Sequence, residues 1–222
     1  VTASGSTVGA ADYDADDDLD LFVAGRILPG RYPLAPRSYL LRNDTRPGGP
    51  PRFIDVTAQV APGLVEPGLV GTALWTDYDA DGRPDLLLAG EWMPLTLFRN
   101  TGDGFRDVTT AAGLAGTEGW WRSLVAGDFD SDGDTDYVAG NLGLNTKFEA
   151  SPDQPVRVHA ADFDGNGSID PVLSRYIDGE SYPVASRDLL IDQMTEMKAR
   201  FPRYIDYADA TLEETLSAEE RE

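Results

Sequence analysis

Cysteine is absent from this chain of 222 residues. That excludes a disulfide framework, a thiolate nucleophile and a thiolate metal site. Histidine occurs once, at His159, so a Ser–His–Asp triad has a single place to form, and no nucleophile motif stands near it. No phosphate loop and no HExxH pair appears. Basic residues are few, 18 Lys and Arg against 39 Asp and Glu, giving a net charge of −21. No basic stripe exists to neutralise phosphates, so nucleic acid is not an expected partner. There is no apolar run long enough to span a membrane and no signal-peptide pattern.

Acid is abundant, and it is ordered. A nine-residue pattern occurs four times: DYDADDDLD at Asp12–Asp20, DYDADGRPD at Asp77–Asp85, DFDSDGDTD at Asp128–Asp136 and DFDGNGSID at Asp162–Asp170. Positions 1, 3, 5 and 9 are acids, except for Asn166, and position 2 is always Tyr or Phe. Acidic turns are common as plain turns, because Asp bonds its own backbone. Four copies sharing an aromatic at position 2 point instead to a hard cation with many oxygen ligands, and calcium suits the pattern. The side chains expected to ligate are those of Asp12, Asp14, Asp16 and Asp20; Asp77, Asp79, Asp81 and Asp85; Asp128, Asp130, Asp132 and Asp136; and Asp162, Asp164, Asn166 and Asp170. Position 7, occupied by Asp18, Arg83, Asp134 and Ser168, would offer its backbone carbonyl. Gly at position 6 supplies a positive φ in three loops. Asp17 stands there in the first loop, at some conformational cost. By charge and glycine placement the second and third loops are expected to fill first. Of the 39 acids, 18 lie in the four loops, and four bound calcium ions would bring −21 to about −13.

An EF-hand is excluded, because position 12 is Val23, Leu88, Ala139 or Leu173 rather than Glu and the flanks are not helical. The loops are followed by LDLFVAG, PDLLLAG and TDYVAGN and preceded by STVGAA, GTALWT, RSLVAG and VRVHAA, which read as strands. A second repeat, Arg-Asn, a Gly-rich turn, Phe and Asp-Val-Thr, occurs within Tyr39–Leu64 and Leu97–Leu114 and reads as a hairpin of two more strands. Four strands per repeat is the signature of a propeller blade.

On these motifs the chain resembles the FG-GAP or VCBS repeat family, whose fold is the β-propeller of integrin α-subunit heads. The resemblance covers about residues 6–176 and implies calcium held between the first and second strands of a blade. FRNTGDGFRDVTTAAGL is similar to the bacterial branch related to cartilage acidic proteins, which often carry an ASPIC/UnbV domain.

The expected architecture is all-β. It consists of about three to four four-stranded propeller blades at 1–176 with a helical insertion or extension at 177–222. Blade one is placed at about 6–57, blade two at about 69–109 and blade three from near Trp120. The loop starts are 65, 51 and 34 residues apart. The last interval is short for four strands, so either blade three lacks an outer hairpin or the fourth loop lies in an irregular blade. Asn141–Pro155 reads as an ordered loop or linker. Beyond it, RDLLIDQMTEMKARF has helical apolar spacing with Ser186 as N-cap and Pro202 as stop, and Thr211 or Ser217 would cap further short helices.

Calcium loops of modest affinity fill at extracellular calcium levels, so an exported, extracellular or cell-surface bacterial protein is expected, with remaining blades in a longer chain. Trp92, Trp120, Trp121 and Arg122 could form a ligand rim for a protein or glycan, or else pack between blades, whereas Trp75 reads as a structural strand residue. His159 reads as a strand residue near the propeller centre. The resulting expectation is a non-enzymatic, calcium-stabilised binding or scaffolding module. The alternatives are a carbohydrate-active enzyme and a purely structural spacer.

Overall fold

The computed structural model describes residues 3–221. The chain divides into two compact units. The first holds the stretch up to Pro29 and Leu34–Leu142; the second holds Gly30–Pro33 and the remainder from Gly143.

In the first unit, β1 (Ser4–Ala11), β2 (Asp20–Ile27), β3 (Tyr39–Asn43) and β4 (Phe53–Asp55) form an antiparallel meander. The pattern repeats with β5 (Leu69–Thr76), β6 (Asp85–Met93), β7 (Thr96–Asn100) and β8 (Phe105–Asp107). These are the two four-stranded blades that the repeats predict. The outer hairpins pair Asn43 with Phe53 and Asn100 with Phe105, so the Arg-Asn and Phe motifs face each other across the turn.

Blade three is shorter. It consists of β9 (Gly119–Gly127) and β10 (Asp136–Asn141), and β9 extends the second sheet by pairing with β6 at Glu91–Trp120 and Met93–Gly119. No strand forms between Asn141 and Arg157, so blade three has no outer hairpin, and the fourth loop lies in a separate three-stranded sheet; both readings of the short interval hold in part.

Tyr13, Phe22, Leu40, Val70, Leu86, Leu88, Phe98 and Phe105 meet in one core. Each fully buried side chain of this size contributes about 1.5–3 kcal/mol. β6 is buried along almost its whole length, as its near-continuous apolar run requires of a strand covered on both faces. The glycines that close the apolar runs have a packing reason. A Cβ on Gly90 would lie 2.1 Å from the Leu69 carbonyl oxygen, and one on Gly25 would lie 2.4 Å from that of Arg37.

Two features went unforeseen in this unit. The Asp-Val-Thr segment runs into a one-turn helix, α1 (Thr57–Val60). Thr57 is fully buried; its hydroxyl donates to Asp55 Oδ1 at 2.6 Å and accepts from the Leu40 N–H at 2.8 Å. Thr109 repeats part of this, accepting from the Leu97 N–H at 3.1 Å.

In the second unit, β11 (Arg157–Ala161), β12 (Asp170–Ile177) and β13 (Glu180–Pro183) form a three-stranded sheet. Short helices follow: α2 (Arg187–Gln193), α3 (Met197–Arg200), α4 (Tyr204–Tyr207) and α5 (Leu212–Thr215). Ser186 does cap α2, accepting from the Leu189 N–H at 3.4 Å. The single helix expected through Phe201 is broken, however. Met194 takes an extended φ of −127° and ψ of 97°. The break lets Met194, Met197 and Phe201 all enter a core with Val172, Leu190 and Leu212, while Leu189 stays exposed. Tertiary burial here outweighs helical continuity. Thr211 caps α5 through a reciprocal pair with Glu214.

Candidate metal centres

The four acidic loops occupy the same place in four hairpins. Position 9 opens the second strand and pairs with the residue just before position 1: Ala11 with Asp20, Thr76 with Asp85, Gly127 with Asp136 and Ala161 with Asp170. Eight residues, positions 1 to 8, must therefore reverse the chain within one hairpin end. They do so by bonding their own side chains. The position 1 carboxylate accepts from the N–H of position 6 in every loop: Asp12 from Asp17 at 3.1 Å, Asp77 from Gly82 at 2.9 Å, Asp128 from Gly133 at 3.2 Å and Asp162 from Gly167 at 2.8 Å. Position 5 accepts from the N–H of position 7, with Asp16, Asp81, Asp132 and Asn166 as acceptors.

Position 6 has positive φ throughout, and Asp17 takes it at 70° despite its Cβ. A second left-handed position was not anticipated. Position 4 is also left-handed, at Ala15, Ala80, Ser131 and Gly165, with φ between 55° and 72°. The signal was present in the sequence, because all four residues are small.

This backbone brings three carboxylates together in each loop: Asp12, Asp14 and Asp20; Asp77, Asp79 and Asp85; Asp128, Asp130 and Asp136; Asp162, Asp164 and Asp170. One oxygen from each lies within 4.8 Å of the other two. Position 5 lies outside these groups; one of its side-chain oxygens bonds the position 7 N–H. Two like charges at that separation repel by roughly 3.5 kcal/mol at an effective dielectric of ~20. Such an arrangement calls for a cation, and an all-oxygen donor set fits a hard one.

The position 9 acids are the anchors. Asp20 and Asp85 are fully buried. Asp20 accepts from the Tyr13 N–H at 3.2 Å and the Asn43 N–H at 2.8 Å. Asp85 accepts from Tyr78 at 3.1 Å and Asn100 at 2.7 Å. The Asn of the outer-hairpin motif thus reaches the loop, a link between the two repeats that the sequence did not reveal. Among the described residues, Asp136 and Asp170 each accept from the position 2 N–H alone, Phe129 at 2.8 Å and Phe163 at 3.1 Å. Burial pushes Asp20 up to about 6, the two N–H donors pull it down, and Asp14 and Asp16 raise it further. Burial likewise raises Asp85 and Asp170, with neighbouring loop acids adding to it.

The second loop carries its own cations. Arg99 Nε lies 2.7 Å from Asp79 Oδ2, its other end lies 3.1 Å from Asp81 Oδ2, and Arg83 also pairs with Asp81. Burial raises Asp81, but the Arg83 N–H and the two guanidinium groups hold it below the ordinary carboxylate value.

Of the aromatic candidates, Trp92 and Trp120 come together edge to face with centroids 4.9 Å apart. Trp92 has φ of 59°, an outlier for a bulky residue. Arg122 pairs with the buried Glu91 at 2.6 Å, and Arg26 holds the same carboxylate at 2.7 Å. The Trp121 indole N–H donates to the Thr117 carbonyl at 2.8 Å. Trp75 lies in β5 and packs against Phe105 at 6.0 Å. His159 lies in β11, its ring nitrogens 3.1 Å from the Arg221 carbonyl and 3.3 Å from Ser174 Oγ. Burial lowers its pKa below the ordinary histidine value.

Four-stranded antiparallel blades with an acid-rich loop between first and second strands define a propeller-type repeat. Residues 77–139 match the family model of the FG-GAP-like repeat, and the chain carries that repeat from its second loop through its third. No curated protein matches the chain. Among the described residues no helix is long and apolar enough to cross a membrane.

Proposed function

We propose that the protein is a calcium-binding propeller module that recognises a protein or glycan partner outside the cell and has no chemistry of its own. The observation carrying the calcium reading is the fourfold recurrence of three carboxylates within 4.8 Å around one hairpin geometry. Up to four ions would sit in these loops in a structural role. The ions would offset two of the three negative charges in each group and fix the hairpin ends.

The partner surface is the Trp92, Trp120 and Arg122 region. Half-buried aromatics beside a partly exposed guanidinium suit stacking on a sugar or anchoring a protein. The non-enzymatic reading rests on the use of the side chains: the clustered acids serve the loops, and both ring nitrogens of His159 have partners within the fold.

The test is binding of the calcium-loaded protein to glycan and protein arrays, alongside Trp120→Ala and Arg122→Ala variants. The expected result is a ligand whose signal falls at least tenfold in either variant while the circular dichroism spectrum is kept. Binding indifferent to both substitutions removes the rim. Turnover of an arrayed glycan that vanishes on changing an acid outside the four loops overturns the non-enzymatic reading.

A further inference from the structure

The four loops share one backbone but not one electrostatic setting. Counting acids and glycines ranks the second loop with the third. The side chains around them differ. In the second loop, Arg99 bridges the acids of positions 3 and 5, with Nε 2.7 Å from Asp79 and the other end 3.1 Å from Asp81. Arg83, at position 7, also pairs with Asp81, and its Nε donates to the Asn100 carbonyl at 3.0 Å, which holds the guanidinium against the loop.

The first loop has the same Arg-Asn pair in its third strand, yet Arg42 is drawn elsewhere. Its Nε lies 2.8 Å from Asp44, the residue after the Asn. At the corresponding position the second blade has Thr101, whose hydroxyl is engaged by Gly104, so Arg99 turns to the loop acids. Among the described residues no ion pair reaches the acids of the third or fourth loop.

We propose that Arg83 and Arg99 are built-in counter-ions of the second loop: they hold Asp79 and Asp81 in place without metal and lower that loop's calcium affinity below that of the third. The inference rests on the calcium reading above. A calcium ion entering this loop must compete with the Arg99 guanidinium for Asp79, one of its three grouped carboxylates. It must also sit beside one or two fixed positive charges. The loop is thereby kept ordered when calcium is low and is filled after the third when calcium rises.

The test is a calorimetric calcium titration of the metal-stripped full chain and of Arg99→Gln, Arg83→Gln, the double variant and Arg99→Lys. Removing a unit charge ~8 Å from a divalent ion in a water-like dielectric corresponds to about fivefold in affinity. One binding event is therefore expected to tighten roughly fivefold in each Gln variant and ten- to thirtyfold in the double variant. Arg99→Lys, which keeps the charge, should stay within about twofold of the wild type. Adding Asp77→Asn to the double variant should remove the tightened event and so assign it to this loop. In chelator, Arg99→Gln should melt below the wild type, and calcium should close the gap. Arg83→Gln, with its partly exposed side chain, keeps the test open if Arg99→Gln fails to fold. Calcium binding by the wild type with no event tightened in the variants overturns the proposal, as does a tightened event that survives Asp77→Asn. A wild type that takes up no calcium overturns the calcium reading itself, which is a separate and distinguishable failure.

Discussion

The acid at position 9 joins two tasks in one side chain. It offers a ligand oxygen to the loop, and it accepts backbone N–H groups that would otherwise be unpaired in the blade. Asp85 accepts two, from Tyr78 and Asn100, whereas Asp136 accepts one, from Phe129. Asp85 is also fully buried, and Asp136 is not. Hydrogen bonds to charged groups contribute about 1.5–3 kcal/mol each, and leaving a buried donor unpaired costs a further ~1–3 kcal/mol. Asp85→Ala is therefore expected to lose roughly 3 kcal/mol more than Asp136→Ala when both are unfolded by urea in chelator. Equal losses would show that the third-strand Asn does not tie the loop down. The loop acids were readable in the sequence because their spacing repeats. The second left-handed residue was marked only by the small side chains at position 4, and the reach of Asn43 and Asn100 was not readable, because it depends on where the third strand lies. Arg99 was visible only as part of an Arg-Asn skeleton, and nothing in its own blade distinguishes it from Arg42 until Thr101 and Asp44 are compared.

At the scale of elements, the outer hairpin is fastened by its Thr. Thr57 and Thr109 are buried, and each accepts the N–H of the third strand, from Leu40 and Leu97. Val has the shape of Thr without its hydroxyl, so Thr109→Val strands the Leu97 N–H. The expected loss is about 1–3 kcal/mol, against less than ~0.5 kcal/mol for Thr110→Val next to it on the surface. Denaturation of the two variants checks this, and matching midpoints would mean the hydroxyl is dispensable. The hairpins themselves were legible from the Gly-rich turns and flanking apolar residues. The one-turn helix α1 was not, because four residues carry no periodic signal. The break at Met194 escaped for a different reason. The apolar spacing from Leu189 to Phe201 is helical, and only the core that accepts Met194, Met197 and Phe201 together shows why one straight helix would serve less well.

Across the whole molecule the dominant physical fact is charge, a net −21 with 18 of its 39 acids in four loops. Without metal, the loops hold carboxylates whose protonated form is favoured by burial and by one another. Asp20 is raised to about 6, and Asp14, Asp85 and Asp170 are raised as well, burial being the first cause in each. A carboxyl whose folded pKa lies above its unfolded value of 3.8 binds protons more tightly in the folded state. For Asp20 the contribution to stability is complete below about 4 and is lost as pH rises through about 6; for Asp14, Asp85 and Asp170 it is lost in the same direction. Asp55 and Asp81 run the other way. Burial raises both, but hydrogen bonds and arginines hold them below the ordinary value, so their contribution is lost as pH falls below about 4. The metal-free protein should therefore melt highest near pH 4 to 5 and lose Tm toward pH 7. Calcium needs the deprotonated carboxylates, so its effect grows over the same interval. At a hundredfold excess over Kd each site adds about 2.7 kcal/mol. The melting curves with and without calcium should thus nearly coincide at pH 4 and separate by many degrees at pH 7. Melting the metal-stripped protein from pH 4 to 7, with and without added calcium, decides the matter. A constant gap across that range would show that the loop carboxylates are not the groups calcium discharges, and no gap at pH 7 would remove calcium from the structure altogether.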